Sequence, residues 1–84
     1  MYFVYVLGSL KKKGQIYFGY SSNLKCRLLE HNSGKSSATK PYLPWKLLFY
    51  EAFVSKGDAE RREAYFKTSK GRKSFKLIAR ESLA

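Results

Sequence analysis

Tyr2-Phe3-Val4-Tyr5-Val6-Leu7, then Lys11-Lys12-Lys13-Gly14, then Gln15-Ile16-Tyr17-Phe18-Gly19-Tyr20: this opening stretch decides the fold. Six aromatic or aliphatic residues in succession suit a strand covered on both faces. Three lysines closing on a glycine make a solvated hairpin turn. The second run is again aromatic and β-branched, and so short a connection makes the two strands antiparallel neighbours.

Working outward, Ser21, Ser22 and Asn23 supply N-cap chemistry for a helix over Leu24 to Asn32. Leu24, Leu28 and Leu29 fall on its buried side, and Ser33-Gly34 stops it. Lys35 to Pro44 is a polar loop. Trp45 to Val54, rich in Trp, Phe, Tyr and Val, reads as a third strand. Ser55-Lys56-Gly57-Asp58 resembles a capping box, with Asp in place of the usual Glu. It opens a helix from about Lys56 to Ser69 that Lys70-Gly71 breaks. A last short helix follows from Arg72 to Arg80, with Phe75, Leu77 and Ile78 available for packing. The order is ββαβαα, in one domain over residues 1–84.

The charge narrows the partners. Seventeen Lys and Arg against six Asp and Glu give the chain a formal charge of +11. Such a field captures polyanions, nucleic acid first and an acidic membrane surface second. No apolar run approaches the ~18 residues of a membrane span. No segment has the plan of a signal peptide, and the single Cys26 has no disulfide partner, so a cytoplasmic location is expected.

Four features carry candidate chemistry. Tyr5 and Tyr17 sit on paired strands and share a sheet face if the hairpin register allows; strand tyrosines are more often packing residues. Arg27 and His31, four apart, share a helix face with Asn23. Arginine offers a planar fork of donors to phosphate, and histidine donates to phosphate or relays a proton. A merely solvated helix face, with Lys25 and Glu30 alongside, has the same spacing. Glu63 falls on the apolar stripe between Ala59 and Phe66, where a carboxylate needs a cation: a divalent metal, or an ion pair with Arg62 or Lys67. Between Lys56 and Arg80 stand nine Lys or Arg and three acids. Lys67, Lys70, Arg72, Lys73 and Lys76, with Lys40 from the polar loop, are the expected phosphate contacts. One Cys and one His exclude a zinc cluster, and no Gly-rich phosphate loop is present.

These pieces, in this order, resemble the GIY-YIG endonuclease family over nearly the whole chain. Phe3-Val4-Tyr5 stands where that family has Gly-Ile-Tyr, and Tyr17-Phe18-Gly19 where it has Tyr-Ile-Gly. Asn23 to Asn32 is similar to the helix bearing its essential arginine. Pro44-Trp45-Lys46-Leu47 with Tyr50-Glu51 is similar to the third strand of its small stand-alone members. Ala59-Glu60-Arg61-Arg62-Glu63 resembles the motif of its metal-binding glutamate. Tyr20 occupies a position where some members carry a lysine. The resemblance implies an α+β fold with a three-stranded antiparallel sheet flanked by helices. It also implies an endonuclease that hydrolyses phosphodiester bonds of nucleic acid, most readily DNA, structured or single-stranded.

On that resemblance Glu63 holds one Mg²⁺ or Mn²⁺ and Arg27 neutralises charge on the phosphate. Tyr5 or Tyr17 orients or deprotonates the attacking water, its phenol depressed by the metal or by nearby cations, and His31 is a phosphate contact or an alternative base. The alternative is a non-catalytic nucleic-acid binding module with the same fold; a basic protein of a ribonucleoprotein particle is a third reading.

Overall fold

The structure, a computed structural model, describes residues 1–83. Three strands, β1 (Tyr2–Ser9), β2 (Ile16–Ser21) and β3 (Trp45–Phe53), form one antiparallel sheet in the order β2-β1-β3. The opening apolar run is thus the central strand, and Val4 to Gly8 are buried on both faces, as its composition requires. Helices α1 (Leu24–Asn32), α2 (Lys56–Phe66), α3 (Ser69–Ile78) and α4 (Arg80–Leu83) flank the sheet, and a 3₁₀ turn, Lys40–Tyr42, leads into β3.

Strand alternation divides the apolar residues between two cores. Val4, Val6 and Phe18 face α2 and α3, where they meet Ala59, Phe66, Phe75 and Ala79. Tyr5 and Leu7 face α1, where they meet Trp45, Leu24, Leu28 and Leu43. A bulge between Val6 and Leu7 leaves Leu48 unpaired on β3 and lets it join Phe49 in the first core.

The first core is aromatic. Phe66 stacks on Phe18 at 5.8 Å between centroids and meets Phe49 and Phe75 edge-on at 6.1 and 5.8 Å. These offset and T-shaped arrangements are the ones ring quadrupoles favour. Arg62 closes its rim: it donates to both Glu51 oxygens, at 2.8 and 3.2 Å, and its guanidinium lies 4.4 Å over the Phe66 ring. That fork ties α2 to β3.

Several local expectations need correction. The break after the second helix lies at Lys67–Thr68, not at Lys70-Gly71. Thr68 caps α3 by accepting from the Gly71 N–H at 3.0 Å. Gly71 is buried inside α3 because α2 passes directly against it; a Cβ there would run into the Tyr65 carbonyl. The glycine marks a close helix approach, which local sequence cannot distinguish from a stop. The capping box does not form: Ser55 is the N-cap without a side-chain bond, and Asp58 pairs with Arg61. Leu29, Leu77 and Ile78 are exposed, at 64%, 72% and 49%; from the C-terminal helices Phe75, Ala79 and Leu83 pack instead.

Candidate active site

The hairpin register brings the two tyrosines together. Tyr5 pairs with Gly19 and Leu7 with Tyr17, so Tyr5 and Tyr17 are diagonal neighbours on the α1 face, with rings 6.4 Å apart. Gly19 is required by that arrangement. The Tyr5 side chain crosses β2 directly over it, and a Cβ at Gly19 would stand 2.5 Å from the phenol oxygen. The glycine therefore opens the way by which a phenol from the central strand crosses the neighbouring edge strand.

Asn23 caps α1 by accepting from the Cys26 N–H at 3.0 Å, and so fixes where Arg27 and His31 start their turn. At the other end Asn32 clamps the helix to β3. It accepts from the Trp45 N–H at 2.7 Å and donates to the Trp45 carbonyl at 2.9 Å, as a neighbouring strand does.

Between these anchors His31 is 1% exposed, which takes it out of reach of a phosphate in solvent and corrects that expectation. Both its ring nitrogens are occupied. Nε2 lies 2.8 Å from the Tyr5 hydroxyl, Nδ1 lies 2.9 Å from Thr39 Oγ1, and the Tyr17 ring meets the imidazole edge-on at 5.0 Å. Burial, reinforced by the Arg27 charge and opposed by Glu30, lowers the His31 pKa, so the ring is neutral at pH 7. A neutral ring has one proton to give. The Thr39 hydroxyl points to the Ser36 carbonyl, at 3.4 Å, and its oxygen can then accept from Nδ1–H. Nε2 is left to accept from the Tyr5 O–H. Thr39 is fully buried, and its carbonyl accepts from the Trp45 indole N–H at 2.9 Å. The sequence had placed Thr39 only in a polar loop; no spacing marks it, because the 3₁₀ turn that delivers it to α1 is a tertiary feature.

Burial raises the Tyr5 pKa well above the ordinary phenol value, the neighbouring Tyr17 adds to the rise, and Arg27 opposes it. Tyr5 is therefore protonated at pH 7 in this structure. Glu63 is the last contributor to that rise.

Arg27 is half exposed, pairs with Glu30 at 3.5 Å, and lines a polar cleft of 360 Å³ with Tyr2, Tyr20, Ser21, Ser22 and Lys56. The cleft takes its second cation from Lys56 at the start of α2. Glu63 has 19% of its side chain exposed, and its partner is Lys67, at 3.3 Å, because Arg62 is held by Glu51. Lys40 is exposed in the 3₁₀ turn. Lys70, Arg72, Lys73 and Lys76 are exposed on α3, with Arg72 and Lys76 on one flank and Lys70 and Lys73 on another. They form one arc of about 160° on the solvent side of α3, opposite the buried Gly71 and Phe75, and of the expected phosphate contacts only Lys67 is joined to the candidate site by an ion pair.

A model of the GIY-YIG catalytic domain matches residues 1–77. The chain belongs to the GIY-YIG family. Its relatives include UPF0213 protein SAG0778 of Streptococcus agalactiae, 51% identical over 55 residues, which cover 64% of this chain and 62% of that protein. UPF0213 protein SpyM3_1077 of Streptococcus pyogenes is 45% identical over 71 residues, 83% of this chain and 75% of the relative. UPF0213 protein SH2523 of Staphylococcus haemolyticus is 36% identical over 92% of this chain and 93% of its own. The solution NMR structure of UPF0213 protein BH0048 from Bacillus halodurans superposes with a TM-score of 0.57 at 33% identity, over 98% of this chain and 87% of that one. The sheet with flanking helices is therefore a GIY-YIG fold of the UPF0213 kind. Among the described residues no helix is long and apolar enough to cross a membrane.

Proposed function

We propose that this chain is a divalent-metal-dependent endonuclease that hydrolyses phosphodiester bonds in DNA. The reading is supported by the catalytic-domain match over residues 1–77 and by the groups gathered along β2, the Tyr5 phenol over Gly19 and Arg27 in the polar cleft with Tyr20, Ser21 and Lys56.

The residues fit a metal with few protein ligands. Among the described residues no three His, Cys, Asp or Glu side chains stand together, and Glu63 is a carboxylate paired at 3.3 Å with a half-exposed lysine that a cation would replace. Mg²⁺ is commonly held by one or two carboxylates, waters and substrate phosphate. Glu63 would hold Mg²⁺ or Mn²⁺, which when bound supplies Lewis-acid polarisation of phosphate oxygens.

The chain's own groups do the rest. Arg27 neutralises charge growing on the phosphate, a role worth roughly 3–4 kcal/mol in comparable sites. Tyr5 is as buried as His31, at 1% exposure, so the attacking water must enter the site to reach its hydroxyl, which then accepts a hydrogen bond from that water. As the water oxygen bonds to phosphorus, its proton passes to Tyr5 Oη while the Tyr5 proton passes to His31 Nε2. The phenol ends as it began, the imidazole becomes imidazolium, and the leaving oxygen carries away the electron pair of its bond to phosphorus. This relay needs no depressed phenol pKa and uses the hydrogen bond already in place. Thr39, by holding Nδ1–H, keeps Nε2 open as the acceptor.

Plasmid nicking tests the reading. Nicking should require Mg²⁺ or Mn²⁺, and fall about 10²–10³-fold in Arg27→Ala and in Glu63→Gln while circular dichroism stays unchanged. Binding without nicking, indifferent to both substitutions, would make the chain a non-catalytic nucleic-acid binding module. In either case affinity should fall steeply with salt, because binding releases counterions condensed on the nucleic acid.

A further inference from the structure

Helix α1 does not cover the whole of its sheet face. Between α1 and β3 lies an apolar cavity of 510 Å³, walled by Phe3, Leu24, Leu28, Leu47 and Tyr50, with Lys25 at its edge. Phe3 and Tyr50 meet edge-on at 6.1 Å, and Tyr50 is 54% exposed, so part of its ring is open to a partner. Ser22 lines both this cavity and the Arg27–Lys56 cleft. The two cavities adjoin at the start of α1, one apolar and aromatic, the other polar and cationic.

We propose that the apolar cavity seats an unstacked nucleobase of the same strand whose phosphate occupies the Arg27–Lys56 cleft. The proposal rests on the nucleic-acid part of the functional reading and narrows its substrate to nucleotides that are single-stranded, frayed or flipped beside the bound phosphate.

A nucleotide has two chemically distinct ends, an anionic phosphate and a flat π-face, and the two cavities match them one to one across Ser22. Aromatic seats take any base, because every base has a π-face, while a cationic groove follows the backbone. A base within a continuous duplex is paired and stacked on both sides and has no face to offer; it must first leave the stack. An apolar protein segment or a second copy of the chain would also cover apolar surface. Neither draws on the Lys25 edge, the adjoining cationic cleft or the charge of +11. The occupant that uses both cavities is a strand of nucleic acid.

The test is fluorescence anisotropy of the full chain, without divalent metal and at low salt, with labelled oligodeoxythymidine and with a blunt duplex of equal length. Tyr50 is exposed, so its substitution is expected to leave the fold intact, which circular dichroism checks. Tyr50→Ala should weaken binding of the single strand about tenfold and leave the duplex within about twofold, and Tyr50→Trp should tighten the single strand. Equal change on both ligands, or on neither, overturns the proposal. So does a Tyr50→Ala chain that sediments as a smaller species while binding the single strand as tightly as before, which would give the face to a second copy. The two readings fail separately: a chain that binds through Tyr50 yet never nicks DNA loses only the nuclease, and one that nicks while Tyr50 is neutral loses only the base seat.

Discussion

The two faces of the sheet are built on different principles. Under α2 and α3 the contacts are hydrocarbon and aromatic, centred on Phe66 and Phe75, with no fully buried polar side chain among them. Under α1 the buried residues include His31 and Thr39, and a file of hydrogen bonds runs from Ser36 through Thr39 and His31 to the Tyr5 hydroxyl. The first face holds the chain together by area and shape. The second accepts the cost of burying polar groups, each of which must be paired, and delivers one phenol to the edge of β2. The difference teaches where stability and chemistry reside in a small chain: they share one sheet but not one side of it.

The sharpest way to break that division is to damage the hydrocarbon face. Phe66→Ala removes a fully buried ring that meets three other phenylalanines and should cost roughly 3–5 kcal/mol, read as a lowered urea midpoint. For a chain this short that is a large share of the total. Whatever fraction remains folded should nick DNA at the normal rate per folded molecule; a slower rate would mean that the two faces are not separate.

Damage to the polar face should do the reverse. Tyr5→Phe leaves His31 Nε2 buried without a donor, and Thr39→Val leaves Nδ1–H without an acceptor. Each should cost about 1–3 kcal/mol of stability. Thr39→Val should also move the imidazole proton to Nε2, visible in the nitrogen-15 shifts of His31, and slow nicking well beyond what the stability loss explains. Thr39→Ser should restore both. A Thr39→Val chain that keeps the Nδ1–H tautomer would reduce Thr39 to packing.

The contrast also explains what could be read from the sequence. The hydrocarbon face was legible because its signals are periodic: the apolar opening run, the hairpin, and Ala59 and Phe66 on one helix stripe. The pairing of Tyr5 and Tyr17 on one sheet face was legible from the short hairpin, and the register sets their rings 6.4 Å apart. What escaped depends on contacts between distant segments. Thr39 reaches α1 only because a 3₁₀ turn folds back, and Gly71 is small because another helix's carbonyl lies against it, though in sequence it reads as a stop. The burial of His31 removed the phosphate contact expected of it for the same reason: a helix face shared with Arg27 says nothing of what the loop beyond it will cover.

The smallest expected effect follows from that burial and concerns pH. Desolvation, with help from the Arg27 charge, lowers the His31 pKa in the folded chain, whereas unfolding returns the imidazole to its ordinary value near 6.5. Below about pH 6.5 the unfolded chain therefore binds more protons at this site than the folded chain, so stability falls as pH drops through that value toward the lowered folded pKa. Above it both states are neutral and the contribution vanishes. His31 is the only histidine, and carboxylates titrate mainly below about pH 5, so a window from about pH 7.5 to 5.5 isolates it. Urea midpoints measured across that window should decline in the natural chain and in a Phe66→Leu control, and should flatten in His31→Phe. A His31→Phe chain that declines as steeply as the natural one would place the titrating group elsewhere and remove the neutral imidazole on which the polar face is built.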